Sequence, residues 1–415
     1  MNNNWTKKES PMLGLTGMGG GVASLMFAGA GEVGSAIWLS GRGYAGALGL
    51  NDRTDRSSPT QLGEITDWIA FENKNFNHSM GIRGVNGSAE DTNGYLWVMG
   101  EQASWGELGL NNRLRYSSPT QVGTDSTWAK LTVGDNIVST KSNGTLWVWG
   151  HNANGSIGDN SNVPRSSPMQ IGTNTNWDGN KIEIQSGCAM AIKTDGTLWG
   201  WGKNEYGRFK LNWSWSDYKY SSPIQVGTNN DWSQIAIAGQ GMAAAIKTNG
   251  TLWMWGASGT GALGQNATTG SARSSPTQLG TENTWAKVQI IATAYAYGCA
   301  ATKTDGTFWV WGRPAIGSLG LNEGGYPSLY YSSPTQLGTD NTWHTTHWNG
   351  GYQAESAVQA FKTDGTLWVW GENSYGSLGL NDVIHRSSPT QVTGEWSWWD
   401  RGASAATFVG HKTKE

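Results

Sequence analysis

Charge is scarce in this 415-residue chain: Asp, Glu, Lys and Arg make up 14% of it, for a net charge of −3. A non-specific nucleic-acid binder needs a dense basic surface to displace counterions. The longest basic run here is Lys7-Lys8 and the pI is about 6.1, so nucleic acid is not an expected partner. Cysteine is scarcer still. Cys188 and Cys299 each sit ahead of a Lys-Thr-Asp-Gly turn, in copies of a repeat that are not neighbours. A disulfide between them is not expected, on distance grounds; both read as small core residues and leave the compartment open. The six histidines are scattered, and His344 and His347 lack the Cys or acidic company of a zinc site. There is no Gly-x-Ser-x-Gly elbow, no Gly-Lys-Ser/Thr phosphate loop and no distinctive carboxylate pair. Neither catalysis nor a cofactor is expected.

What the chain has in abundance is glycine, 60 residues, and tryptophan, 26 residues. Each Trp brings roughly 150–250 Å² of burial, so a sizeable core is available. Ser-Ser-Pro occurs seven times, with proline at 59, 119, 168, 223, 276, 334 and 389. A second marker of the form Gly-Thr-Leu-Trp-Val-Trp-Gly alternates with it. Its first Trp falls at 97, 147, 199, 253, 309 and 368, with a degenerate copy at Trp38. Strict alternation at a spacing near 55 residues is the signature of a repeat architecture.

One copy shows what the repeat builds. Trp128 to Val133, Ile137 to Lys141 and Thr145 to Trp149 read as three strands, and the Ser-Ser-Pro-Thr-Gln-Val type of segment supplies an edge strand that tolerates proline. The Asn-Gly and Asp-Gly pairs between the second and third strands favour the tight hairpin turn. Leu146-Trp147-Val148-Trp149 is apolar at every position, so both of its faces must be covered. The expected fold is all-β: a seven-bladed β-propeller of four-stranded blades. Gly402 to Phe408 resembles Gly241 to Ile246, so the first blade is expected to close from both chain ends. The residue before Ser-Ser-Pro alternates Arg, Tyr, Arg around the ring (Arg56, Tyr116, Arg165, Tyr220, Arg273, Tyr331, Arg386), which suggests cation–π stacks between blades.

The run Leu-Trp-Val-Trp-Gly, followed by Asn373-Ser374-Tyr375-Gly376-Ser377-Leu378-Gly379, resembles the repeats of the regulator of chromosome condensation superfamily over roughly residues 35 to 410. That resemblance implies the propeller fold and leaves function open, because the superfamily includes an exchange factor, protein inhibitors of β-lactamase and many other proteins.

Connection lengths point to a working face. Nine residues separate the Ser-Ser-Pro proline from the next strand's Trp in six copies, whereas the first-to-second and third-to-fourth connections vary. Variable loops on a rigid scaffold carry function. The candidate binding residues on that face are Phe209, Trp213, Trp215 and Tyr218, Tyr326 and Tyr330, and Phe76 and His78 from an insertion at Asn75 to Glu90. Exposed Trp and Tyr are typical anchors, although Trp213 and Trp215 also fit a role covering a blade edge.

Residues 1–33 fall outside the repeat, and 34–415 make up the expected propeller. Ser10 to Gly31 is uncharged and Gly-rich, a composition read against a secretory signal, a membrane segment and an assembly peptide. Glu9, Pro11 and the triple glycine favour the last, with Met12, Leu13, Leu15, Met18, Leu25, Met26 and Phe27 as its apolar contacts and no membrane span. A short tail before a propeller is loosely similar to repeat proteins of marine bacteriophages. The expectation is a non-enzymatic virion display protein: the tail docks to other virion proteins or to itself, and the face meets a host-surface protein or glycan. The alternatives are a soluble inhibitor-like or exchange-factor-like binder, cytoplasmic or secreted, and a carbohydrate-binding propeller.

Overall fold

The computed structural model describes residues 24–26, 37–41, 45–54, 56–74, 78–88, 90–101, 105–134, 136–185, 187–209, 219–238, 241–257, 261–266, 272–292, 297–313, 316–323, 330–350, 357–373, 378, 380, 382, 384–393 and 407–409. Among them the only helix is a single 3-10 turn, Glu205–Gly207; the rest is strand and connection. The repeat folds as the hairpin signals dictate: Trp128–Val133, Asn136–Lys141, Leu146–Gly150 and Arg165–Gln170 pair antiparallel in sequence order. Equivalent four-stranded sheets span 177–225, 232–278, 285–336 and 343–392. The strands of 68–121 and 128–170 form an eight-stranded sheet, two such sets joined at the Gly94–Trp128 bridge. Trp38–Gly41 pairs with Arg56–Gln61, and Ser24–Met26 pairs in parallel with Thr407–Val409, so the two chain ends lie side by side.

The hairpin turn is built by a short relay. Asp305 Oδ1 accepts from the backbone N–H and hydroxyl of Thr307, and Thr307 Oγ1 accepts from Trp309 Nε1 at 2.8 Å. Asn143–Thr145–Trp147, Asp195–Thr197–Trp199, Asn249–Thr251–Trp253 and Asp364–Thr366–Trp368 repeat it. These hydrogen bonds hold the carboxyls of Asp195, Asp305 and Asp364 below the usual carboxylate range. The Lys one residue before each turn then lies over two indoles. Lys303 Nζ is 3.9 Å from the Trp309 ring and 4.8 Å from that of Trp285, and it pairs with Glu282 at 2.6 Å. Lys141, Lys193, Lys247 and Lys362 occupy the same position, and Arg83 lies over Trp97 while bridging to Asp67.

The core lies between successive sheets. One apolar cluster joins Met242, Ala244, Leu252 and Met254 of one sheet to Trp285, Val288, Cys299 and Trp311 of the next. Cys188 and Cys299 are free and buried, as core residues. The second Trp of each third strand also reaches across to the preceding repeat: Trp201 donates to the Ser156 carbonyl and Trp311 to that of Ala262. That preceding loop has the form Gly-x-Leu-Gly-x-Asn, and its glycines are there for contact. A Cβ on Gly155 (φ 72°) would come within 2.7 Å of Ser221 Cα, and one on Gly158 (φ 86°) within 3.1 Å of Trp201 Cδ1. Asn160, at φ 62°, completes the hook by donating its N–H to the Ser221 carbonyl at 2.6 Å. Asn111, Asn266 and Asn322 do the same to Ser166, Ser332 and Ser387. Each repeat thus latches onto the next through its third-to-fourth connection.

Three expectations need correction. Where their partners are described, the Arg and Tyr before Ser-Ser-Pro turn to their own loops rather than stack between repeats. Arg165 pairs with Asp159 and Arg386 with Asp382, and the Tyr116 hydroxyl accepts from Asn112. An ionic or amide partner a few residues away costs less ordering than a stack across a gap. Length variation, in turn, is not confined to one face. Most of the described Asn75 to Glu90 insertion becomes the strand His78–Gly84, and the extra length falls in the second-to-third turn at 85–93, on the opposite side. There Asp91 accepts from Asn86 and Ser88. Finally, Leu25 and Met26, assigned to the tail, lie on the strand paired with Thr407–Val409.

Candidate functional site

The described exposed large apolar side chains are Trp105, Leu114, Val163, Tyr206, Tyr330 and Ile384. All six lie between the third and fourth strands of their repeats. Because the strands within each sheet run up and down and successive sheets are latched alike, these connections share one face. Among the described residues, the exposed large apolar side chains therefore lie on one side.

The residues expected on that face divide. Tyr330 is there, 42% exposed, with the Arg313 guanidinium 6.0 Å from its ring. Phe209 is not: it is 2% exposed and packs with Ile192, Leu198, Val226 and Trp232. The loop register explains why. Asn204 Oδ1 accepts from the Phe209 N–H at 2.8 Å, as Asn152 does from Ile157 and Asn373 from Leu378, so Phe209 stands in the buried Leu position of the hook. Its neighbour in the third strand, Gly200, replaces the Val of Leu-Trp-Val-Trp-Gly, and a Cβ there would meet the Phe209 ring at 2.4 Å. His78 is also buried, at 6%, because it opens a strand paired with Lys74 and Gly100. Trp213, Trp215, Tyr218, Tyr326 and Phe76 lie outside the described residues, as do Met12, Leu13, Leu15, Met18 and Phe27.

Sequence reasoning missed Trp105. It precedes the first glycine of the hook, a position held elsewhere by Ala45, Asn154, Tyr206 and Ile316. A large aromatic at a position held elsewhere by Ala and Asn was the available signal. Trp105 is 45% exposed, and the His151 ring lies 5.0 Å from it at 59°. With Asn111, Asn112, Arg113, Pro164 and Ser166 it lines a cavity of about 380 Å³ between the third-to-fourth connections of two adjoining repeats. That volume falls in the range of small-ligand sites. Among the described residues no cluster of three metal-ligating side chains occurs, and His344 and His347 stack on each other with centroids 3.4 Å apart.

Repeated four-stranded sheets latched in series define the class: a β-propeller-like repeat protein. The family model for the regulator of chromosome condensation (RCC1) repeat matches residues 364–397. The ultraviolet-B receptor UVR8 of Arabidopsis thaliana is 23% identical over 364 residues, covering 86% of this chain and 77% of its own length. The mitochondrial RCC1 domain-containing protein RUG3 of the same plant is 28% identical over 52% of this chain and 47% of its own. Human WBSCR16 superposes with a TM-score of 0.65 at 18% identity, over 83% of this chain and 87% of that one. Prp20p of Saccharomyces cerevisiae, with binding properties to Gsp1p and histones, gives 0.66 at 17% identity, over 89% and 88%. This chain is thus similar to repeat proteins of the regulator of chromosome condensation superfamily and carries a match to their repeat.

Proposed function

We propose that the chain is a non-enzymatic seven-bladed propeller that displays its third-to-fourth loop face for binding, carried on a bacteriophage particle by its Gly-rich N-terminal segment. The confinement of the exposed apolar side chains to that face carries the reading. Scattered surface apolars need no explanation; six on one set of loops do. Six four-stranded repeats are described, and the strand pair at 38–61, with the paired chain ends beside it, supports a seventh. The uncharged composition of Ser10 to Gly31 supports an assembly role for the tail. A soluble protein binder is the second reading, favoured by the protein partners of Prp20p, which binds Gsp1p and histones.

The experiment compares the full chain with one beginning at Gly21, which spares the strand Ser24–Met26, by light scattering and by co-sedimentation with phage particles. Particle binding by the full chain alone, with both chains folded, supports display. Equal sedimentation of both chains contradicts an anchoring tail, and a full chain that stays free of particles favours the soluble binder.

A further inference from the structure

We infer that the cavity beside Trp105 is a subsite for an acidic saccharide, one carrying a carboxylate on a hexose ring; this deepens the binding reading above and rests on it. The argument starts from what the lining groups have left to give. Asn112 is spent: Nδ2 donates to the Leu110 carbonyl and the Tyr116 hydroxyl, and Oδ1 accepts from the Leu114 N–H. Asn111 uses its Oδ1 to accept from the Ser166 hydroxyl, which leaves its amide N–H groups as donors. Arg113 is exposed and, unlike Arg83, Arg115, Arg165 and Arg386, has no carboxylate partner among the described residues. The cavity thus offers a free guanidinium fork and amide donors beside a half-exposed indole.

Each feature narrows the occupant. A guanidinium matches a carboxylate in a bidentate pair. The apolar face of Trp105, steadied by His151, suits the C–H face of a sugar ring. A peptide docking by strand addition would need free backbone groups. Here the Asn111 N–H is already held by the Ser166 carbonyl at 2.7 Å, and Pro164 has no N–H to offer. Recognition must therefore come from side chains. One unpaired cation also fits a single carboxylate better than a run of phosphates or sulfates.

Calorimetric titration with trigalacturonic acid, maltotriose and hexaglutamate tests the assignment on the full chain and on Trp105→Ala and Arg113→Gln, both exposed positions. Trigalacturonate should bind in preference to the other two. Trp105→Ala should weaken it by roughly tenfold, about 1.4 kcal/mol. Arg113→Gln should abolish the preference for the acidic over the neutral sugar. Equal binding of maltotriose, tighter binding of hexaglutamate, no binding of the uronate, or an unchanged Trp105→Ala would each overturn the subsite. If the subsite fails while the loop face still binds a protein partner, the display reading stands; if the loop face is silent as well, both fall.

Discussion

Gly200→Val should destabilise the protein in the wild-type background and stabilise it once Phe209 is leucine. The third strand of this repeat reads Leu-Trp-Gly-Trp-Gly where other copies have Val, Met or Leu at the central place, and the facing hook carries Phe where they carry Leu or Ile. The extra volume of the ring fills the space that the missing side chain vacates. A Cβ on Gly200 would stand 2.4, 2.8 and 2.9 Å from Phe209 Cδ1, Cε1 and Cγ. Phe209 cannot swing away, because its N–H is tied to Asn204 and its ring is enclosed by Ile192, Leu198 and Trp232. Overpacking of this kind costs about 1–3 kcal/mol. Phe209→Leu alone leaves a cavity and should cost about 1–2 kcal/mol. Together the pair restores the arrangement of the other repeats, and Val adds up to about 1 kcal/mol of strand preference over Gly. The double-mutant cycle read from urea midpoints should give a coupling of about 2–3 kcal/mol. A neutral Gly200→Val, or one equally destabilising in both backgrounds, would refute the complementarity.

Lys303→Met keeps the side-chain length but removes the cation from over Trp285 and Trp309, and should lower stability by about 1–2 kcal/mol in urea titration; an unchanged midpoint would mean that the clamp is idle. Glu183 sits half-buried on the first strand Trp177–Gln185, which packs against the first strands of both adjoining repeats, and desolvation there pushes its carboxyl up from 4.5 to about 7 although Lys287 draws it down. The unfolded chain ionises first, so the stability contributed by the neutral carboxyl is complete below about pH 4.5 and is lost as pH rises through about 7. Glu183→Gln should flatten that fall in a pH series of melting temperatures, and an identical pH dependence would contradict the burial of this group.

Periodic features of the fold were legible in the sequence because each has a local cause. Trp128–Val133 and its partners fall within a residue of where the Asn-Gly turn and the apolar runs place them. Phe209 was misplaced because an aromatic in a long, irregular loop looks exposed; only its alignment with Ile157 and Leu378 through the Asn-x-x-Gly frame shows it to be core. Trp105 was passed over for the opposite reason, being inside the motif yet exposed. The Arg–Tyr alternation is periodic in sequence, but local acids and amides such as Asp159 and Asn112 satisfy those side chains first. His78 shows the limit of connection counting, which cannot tell a longer loop from a longer hairpin.

The most direct test of a single working face is site-specific photo-crosslinking in phage-producing cells, with the reactive group placed in turn at Leu114, Val163 and Ile384 and, on the opposite face, at Asp195 and Asp364. The account predicts protein or glycan adducts from the first three positions and none from the turns. Adducts from both faces alike, or from the turns alone, would contradict it.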